Sequence, residues 1–363
     1  MTAEVIPVQN YPNSLPDDVA RVRADGWFYC GALENSPKIL ERILKKRSFI
    51  GPLLGTAPEG LKALRSPEWL AKTLTAAGLK ALSLRNQLLP PEPDGTWLQK
   101  PLASAGGRMI RVWDKTAVEL PFPEPHYFQR IATGVGGSVI FQVESGNVEW
   151  FGSTRELESP LQSAPPTKFS YCGSFGPLND LPIVVVAKLK TMIQAFADNA
   201  PSVKGIVGLD FRFDGDEVWL VEVNPRYTAS IEVLELALGR SLLNPMSMAG
   251  MSGSFSATSS GTLTPKFNLS RQPNQQNQIQ SRIVAKQILY ASEFLVAPDL
   301  RRFVRSSDPW VIPLMADIPL PGTVIERGWP ICTVIGSGKN QEDLESTMRD
   351  RLSIAWNELR TKL

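Results

Sequence analysis

The sequence has little of several things that catalytic and binding proteins often use. It has one histidine, His126, so a relay or metal centre that needs two imidazoles is excluded, and a Ser-His-Asp arrangement could use only that ring. His126 lies in the proline-rich stretch PFPEPHY, where a structural role in a turn is the simpler reading. The three cysteines, Cys30, Cys172 and Cys332, are far apart and form no CxxC pair, which argues against a disulfide framework or a zinc cluster. Charge of one sign is also scarce. With 38 Lys and Arg against 36 Asp and Glu the net charge is +2, too little for bulk attraction to nucleic acid or an anionic membrane. No apolar run approaches the roughly 18 residues that span a bilayer, and the opening MTAEVIPVQNYPNS lacks a basic segment followed by an apolar one. These absences predict a cytoplasmic protein without nucleic-acid or membrane partners, whose anion sites are assembled locally.

The chain has 363 residues and is 43% hydrophobic, enough for two or three lobes. Residues 1–90 read as an α/β lobe with helices at SPKILERILKKR and SPEWLAKTLTAAG, each opened by Ser and Pro. The Pro-rich break LPPEPDG then opens a region, 91–248, in which strands (TWLQKPL, RMIRVW, HYFQRIA, SVIFQVES, NVEWFGST) precede a helix at about 181–199, a hairpin and a helix at about 229–239. A Ser-Gly-Asn turn is expected between the last two strands. Residues 249–281, dominated by Gly, Ser, Thr, Asn and Gln, read as a flexible linker. A C-terminal lobe, 282–363, has short strands and a last helix at about 340–361. Helices interleaved among antiparallel strands predict an α+β fold.

The segment GLDFRFDGDEVWLVEVNPRYTAS, residues 208–230, is the most informative. A three-residue turn at Asp214, Gly215 and Asp216 would pair 208 with 222 and place Asp210, Glu222 and Asn224 on one face, with Gly208 leaving space opposite Glu222. Two carboxylates and an amide oxygen are hard ligands of the kind Mg²⁺ takes, with Mn²⁺ as the alternative. The bland reading is a surface hairpin. Against it, Glu222 and Asn224 interrupt an apolar strand, where an unpaired carboxylate would be costly. A two-residue Asp-Gly turn would separate Asp210 from Glu222 onto opposite faces.

This hairpin resembles the metal-binding strands of the ATP-grasp superfamily, which end in a Glu-x-Asn pair, here EVNPR. Upstream, WLQKPLASAGGRMIRVW resembles the family's strand and glycine-rich phosphate loop, and HYFQRIATGVGGSVIFQV its adenine hinge. The resemblance covers about residues 96–240. It implies an ATP-grasp fold with a shortened N-terminal lobe and a small C-terminal lobe. It also implies that Lys100 and the loop with Ser104, Gly106 and Gly107 hold ATP phosphates, and that Phe128, Gln129, Arg130 and Ile131 flank the adenine. Arg226 would face the transferred phosphoryl group and the acceptor carboxylate. Thr228 and Ser230 read as substrate contacts or helix caps. The first nucleotide-binding lysine of many relatives has only imperfect counterparts, Arg65 and Lys72.

A narrower likeness lies in YCGALENSP, YCGSFGPL, VAKQILYA and ADIPLPGTVIERGWPICTVIGSG. These resemble carboxylate–amine ligases related in outline to biotin carboxylase, a subgroup with archaeal tyramine–glutamate ligases of methanofuran biosynthesis. The likeness implies an ADP-forming ligase that joins a small carboxylate to an amine, with glutamate and tyramine as the model pair, in cofactor biosynthesis tied to one-carbon metabolism. The alternatives are a bicarbonate-activating enzyme and a catalytically degenerate nucleotide-binding protein. A homo-oligomer is compatible with the sequence, which does not fix the oligomeric state.

Overall fold

The computed structural model describes residues 6–46, 51–158, 163–243, 282–303, 306 and 308–360. The stretch expected as a linker, 249–281, lies outside the described residues. The first lobe holds α1 (Leu15–Val19), α2 (Pro37–Lys46), α3 (Pro58–Leu64) and α4 (Pro67–Ala76). Ser66 caps α4 by accepting a hydrogen bond from the Trp69 backbone N–H at 3.2 Å, ahead of Pro67. Where an α/β unit is expected, the described residues of this lobe carry only isolated bridges, among them a parallel one between Trp27 and Leu53 on either side of α2.

A four-stranded antiparallel sheet follows, with β1 (Leu84–Asn86), β2 (Asp94–Pro101), β3 (Arg111–Asp114) and β4 (His126–Arg130) in the order β1-β4-β2-β3 and α5 (Lys115–Glu119) after β3. His126 packs edge-on between Phe122 and Phe128, with ring centroids 4.8 and 5.5 Å away. His126 is the first residue of β4, paired with Pro101, so it belongs to a strand and not to the turn expected for it.

The larger sheet takes in β5 (Val135–Glu144), β6 (Asn147–Glu156), β7 (Gly173–Gly176), β8 (Gly205–Asp214) and β9 (Glu217–Asn224), with α6 (Ile183–Asn199) before β8 and α7 (Ala229–Leu238) after β9. The C-terminal lobe adds β10 (Ile283–Tyr290), β11 (Leu295–Val296), β12 (Met315–Ala316), β13 (Val324–Ile325), β14 (Pro330–Gly338) and α8 (Gln341–Arg360). The resulting eight-stranded sheet runs β12-β14-β10-β7-β6-β5-β8-β9, so β9 is an edge. The turn between β5 and β6 is the two residues Ser145 and Gly146, both at positive φ, with Asn147 already paired to Glu144; the expected third turn residue belongs to the strand.

Side-chain alternation explains where the core and the site lie. On β8, Val207, Leu209 and Phe211 face α6 and pack with Leu189, Met192 and Phe196. Each such buried side chain contributes roughly 1.5–3 kcal/mol. The intervening residues 206, 208 and 210 face the α7 side, where Ile206 joins Ile140, Ile231 and Leu234 and Asp210 is left for chemistry. In α8, Leu344, Met348, Leu352, Ala355 and Leu359 form one apolar stripe against β14 and β10. Among the described residues no helix is long and apolar enough to cross a membrane.

Candidate functional site

The hairpin corrects the expected register and keeps its result. Asp214 pairs with Glu217, so the turn is the two residues Gly215 and Asp216, with Gly215 at φ 56°. A regular ladder from that turn would set Asp210 opposite Val221. Instead a β-bulge between Asp210 and Phe211 lets Val221 stand unpaired, and Asp210 pairs with Glu222. The extra residue reverses the alternation, so Asp210, Glu222 and Asn224 share a face. Gly208 pairs with Asn224, not with Glu222, and the space that it leaves is taken by the Thr228 methyl, 2.9 Å from where a Cβ would stand. Thr228 sits at the N-cap of α7 without a side-chain cap bond.

Around this face Asp210 accepts hydrogen bonds from the Ser138 hydroxyl on β5 and from the Asn224 amide nitrogen, the latter at 2.8 Å. The Arg65 guanidinium donates to Glu222. Desolvation, and then the Glu222 charge opposite, raise the Asp210 carboxyl above the ordinary carboxylate range. Glu156, at the end of β6, is also raised, by desolvation first and then by Asp210. Such crowding is what a bound divalent cation relieves. Among the described residues no three His, Cys, Asp or Glu side chains form a metal-holding group, so the set is two carboxylates and an amide. Those donors fit a hard cation that takes its remaining ligands from phosphate and water.

Lys100 and Arg65 meet at the free edge of β9. Lys100, on β2 and 5% exposed, donates to the Gln129 side-chain oxygen at 2.9 Å and to the Val221 carbonyl at 3.3 Å. Arg65 reaches the Val223 carbonyl at 3.5 Å, Asn35 Oδ1 at 2.9 Å and the Ser104 carbonyl at 3.1 Å. Two cations thus hold the unpaired carbonyls of an edge strand and tie it to the smaller sheet and the first lobe. Lys72 is exposed on α4, so of the two imperfect lysine counterparts Arg65 is the one in the site. The cleft beside them has an apolar wall that includes Leu70, Leu74, Leu84 and Leu220, with Lys100 and Arg65 lining it too. Apolar walls together with cations suit a base and its phosphates.

The expected adenine residues divide according to the pleat. Gln129 lines the cleft. Phe128 points the other way, 1% exposed and packed with Trp97 and Trp113. Arg130 lies over the Trp97 ring, 5.6 Å from its centroid. The backbone N–H groups of Arg130 and Ile131 donate to the carbonyls of Ser83 and Thr96. Those two donors are committed within the protein in this structure. The glycines of the loop differ too. Gly106, at φ 64°, has open space where a Cβ would be, whereas a Cβ on Gly107 would stand 1.7 Å from the Phe169 carbonyl oxygen. Gly107 is a packing requirement, and Gly106 is the position open to an approaching anion.

Arg226 is bound at both ends of its guanidinium. Its Nε donates to Glu34 at 2.6 Å and its Nη2 faces Asn224 Oδ1 at 3.4 Å. Glu34, from the turn Leu33–Asn35, is fully buried, and its second oxygen has no hydrogen-bond partner. Glu34, Asn35, Ser138 and Glu156 were not among the expected site residues. Neither was Lys286 on β10, 6% exposed and paired with Glu232 at 2.8 Å. Ser138 and Lys286 interrupt otherwise apolar or glycine-rich strands, whereas Glu34, Asn35 and Glu156 stand among polar neighbours and carry no such signal.

Comparison with known proteins bears on the fold. A family model described as an ATP-grasp domain matches residues 70–230. An uncharacterized protein of Methanocaldococcus jannaschii is 26% identical over 168 residues, 46% of this chain and 34% of that protein; the match thus spans about a third of the curated relative's length. The L-amino acid ligase of Bacillus licheniformis superposes with a TM-score of 0.61 at 12% identity, over 87% of this chain and 76% of its own. Biotin carboxylase of Campylobacter jejuni, solved as a β-γ-ATP complex, superposes with a TM-score of 0.59 at 14% identity, over 91% and 74% of the two chains. Residues 70–230 thus match an ATP-grasp domain model, and the chain takes the α+β ATP-grasp fold.

Proposed function

We propose that this protein is an ATP-dependent, ADP-forming ligase that activates a small carboxylate as an acyl phosphate and passes the acyl group to an amine. The single observation that carries the reading is the pairing of Asp210 with Glu222 next to Asn224, with Lys100 and Arg65 on the adjoining edge. In this reading Asp210, Glu222 and Asn224 would hold Mg²⁺, which when bound supplies charge stabilisation to the nucleotide phosphates. Lys100 and the Gly106 backbone orient the phosphate chain. A carboxylate oxygen attacks the γ-phosphorus and the bond to ADP breaks, with Arg226 stabilising the charge on the transferring group. The neutral amine then attacks the acyl carbon, phosphate departs with the C–O electron pair, and the nitrogen loses a proton.

Glutamate and tyramine are the proposed pair, supported by the likeness of segments 29–37, 171–178, 284–291 and 316–338 to the carboxylate–amine ligase subgroup. The role in cofactor biosynthesis that we propose rests on the same likeness. The test is ADP release with ATP, Mg²⁺ and glutamate across a panel of amines, with mass detection of the amide. Amine-dependent ADP release with amide formation supports the reading. ADP release that depends on bicarbonate and not on amine would assign the fold to carboxylation, and ATP binding without turnover on any panel member would remove the catalytic claim.

A further inference from the structure

The four segments that carry the narrower likeness, 29–37, 171–178, 284–291 and 316–338, come together around the glycine-rich loop. From the first lobe, the Asn35 amide donates to the Ser104 carbonyl at 3.0 Å, and its Oδ1 accepts from Arg65, which donates to the same carbonyl at 3.1 Å. From the other side, the Tyr171 N–H donates to the Gly106 carbonyl at 3.2 Å. Tyr171 lies in the connection between β6 and β7, whose residues 163–172 form a strap that also sets the Phe169 carbonyl against Gly107. The strap is fastened to the C-terminal lobe. The Tyr290 hydroxyl donates to the Tyr171 carbonyl at 2.8 Å, the Ile288 N–H to the Cys172 carbonyl at 2.9 Å and the Ser163 hydroxyl to the Ile288 carbonyl at 3.2 Å. Gly328 leaves room for Pro166 of the strap, 3.2 Å from where a Cβ would stand.

Two carbonyls of the loop are thus held from opposite lobes. In a planar trans peptide the C=O and the following N–H point opposite ways. Holding the Ser104 and Gly106 carbonyls therefore turns the Ala105 and Gly107 N–H groups away from the groups that hold them, and no backbone carbonyl of the described residues takes either donor. Backbone donors directed in this way are what an anion site needs.

We propose that Asn35 and Tyr290 are positioning residues for ATP: from the two outer lobes they fix the loop carbonyls so that the Ala105 and Gly107 N–H groups meet the phosphates in one geometry. This rests on the reading of the loop as the phosphate site. Asn35 acts through Ser104, and Tyr290, 8% exposed, acts through Tyr171. Gly106 and Gly107 are both at positive φ, and two adjacent glycines left to themselves sample many conformations. Holding them in advance lowers the cost of ordering the loop when nucleotide binds.

The test reads the loop and the nucleotide separately in the whole protein. Amide hydrogen exchange without nucleotide follows residues 101–110, and isothermal titration follows ATP, ADP and adenosine. We expect Tyr290→Phe, which removes one oxygen, and Asn35→Ala each to speed exchange in the loop about tenfold. Each should weaken ATP and ADP about fivefold and leave adenosine within about twofold, which also reports that the variant is folded. Unchanged loop exchange in Tyr290→Phe overturns the positioning role whatever the nucleotide does. Faster exchange with ATP unaffected, or with ATP and adenosine weakened alike, makes the two residues structural supports and overturns it as well; in both cases the phosphate reading stands if the unsubstituted protein prefers ATP to adenosine. If that protein binds adenosine as tightly as ATP, the phosphate reading of the loop itself falls, and the inference falls with it.

Discussion

The two sides of the site are assembled over very different distances along the chain. On the hairpin side, Asp210 meets Asn224 only 14 residues away, through strand pairing. On the lobe side, Arg65 reaches Glu222 across 157 residues and Glu34 reaches Arg226 across 192. Local pairing fixes which oxygens converge. Long-range ion pairs decide where the hairpin edge and its arginine sit, and they make the first lobe part of the site. The family match at 70–230 takes in the hairpin and leaves both Glu34 and Arg65 outside. The family model thus covers the hairpin side of the site and not the lobe side.

The largest expected effect separates the two sides by stability. Arg226→Met would strand the buried Glu34 charge, and breaking a buried pair in that way costs about 3–5 kcal/mol. Denaturant unfolding should show that loss, and Arg226→Met with Glu34→Gln together should recover much of it. Next in size, Glu222→Gln should lower kcat for ADP release about 10²–10³-fold and leave the unfolding transition cooperative. Near-normal turnover would detach the hairpin from catalysis.

A smaller effect concerns pH. The Asp210 and Glu156 carboxyls are both raised in the folded protein, so each binds its proton more tightly folded than unfolded. Their contribution is fully present below the unfolded value near 4 and is lost as pH rises through the raised folded values. Thermal stability of the metal-free protein should therefore fall as pH rises into the neutral range, and Mg²⁺ with ATP should flatten that slope. The smallest effect lies at the exposed tip of the same hairpin. Glu217 pairs there with Lys80 on the surface, and Glu217→Gln should leave both the unfolding midpoint and kcat unchanged.

The acidic hairpin was legible because strand alternation has a period of two and because Glu222 and Asn224 stand out in an apolar strand. Its details were not. The turn is one residue shorter than expected and Val221 bulges by one, and the two offsets add to a shift of two residues, which returns the same side chains to one face. Nothing in VWLVEV marks the bulge. The pleat alone tells that Phe128 and Gln129 face opposite sides, so only one of them can enter the cleft by its side chain. The contacts of Glu34, Asn35 and Arg65 follow from the packing of one lobe on another, which no local spacing encodes. Of the two loop glycines, both read alike in sequence, and only the carbonyl of Phe169 distinguishes Gly107.

The central claim is that Asp210, Glu222 and Asn224 hold the cation that accompanies ATP, and its most direct test is ATP binding by isothermal titration with Mg²⁺ and with EDTA, on the native protein and on Asp210→Asn. The account predicts that the native protein binds ATP at least about tenfold more tightly with Mg²⁺ and that Asp210→Asn loses this dependence while staying folded. Full Mg²⁺ dependence in Asp210→Asn would contradict it.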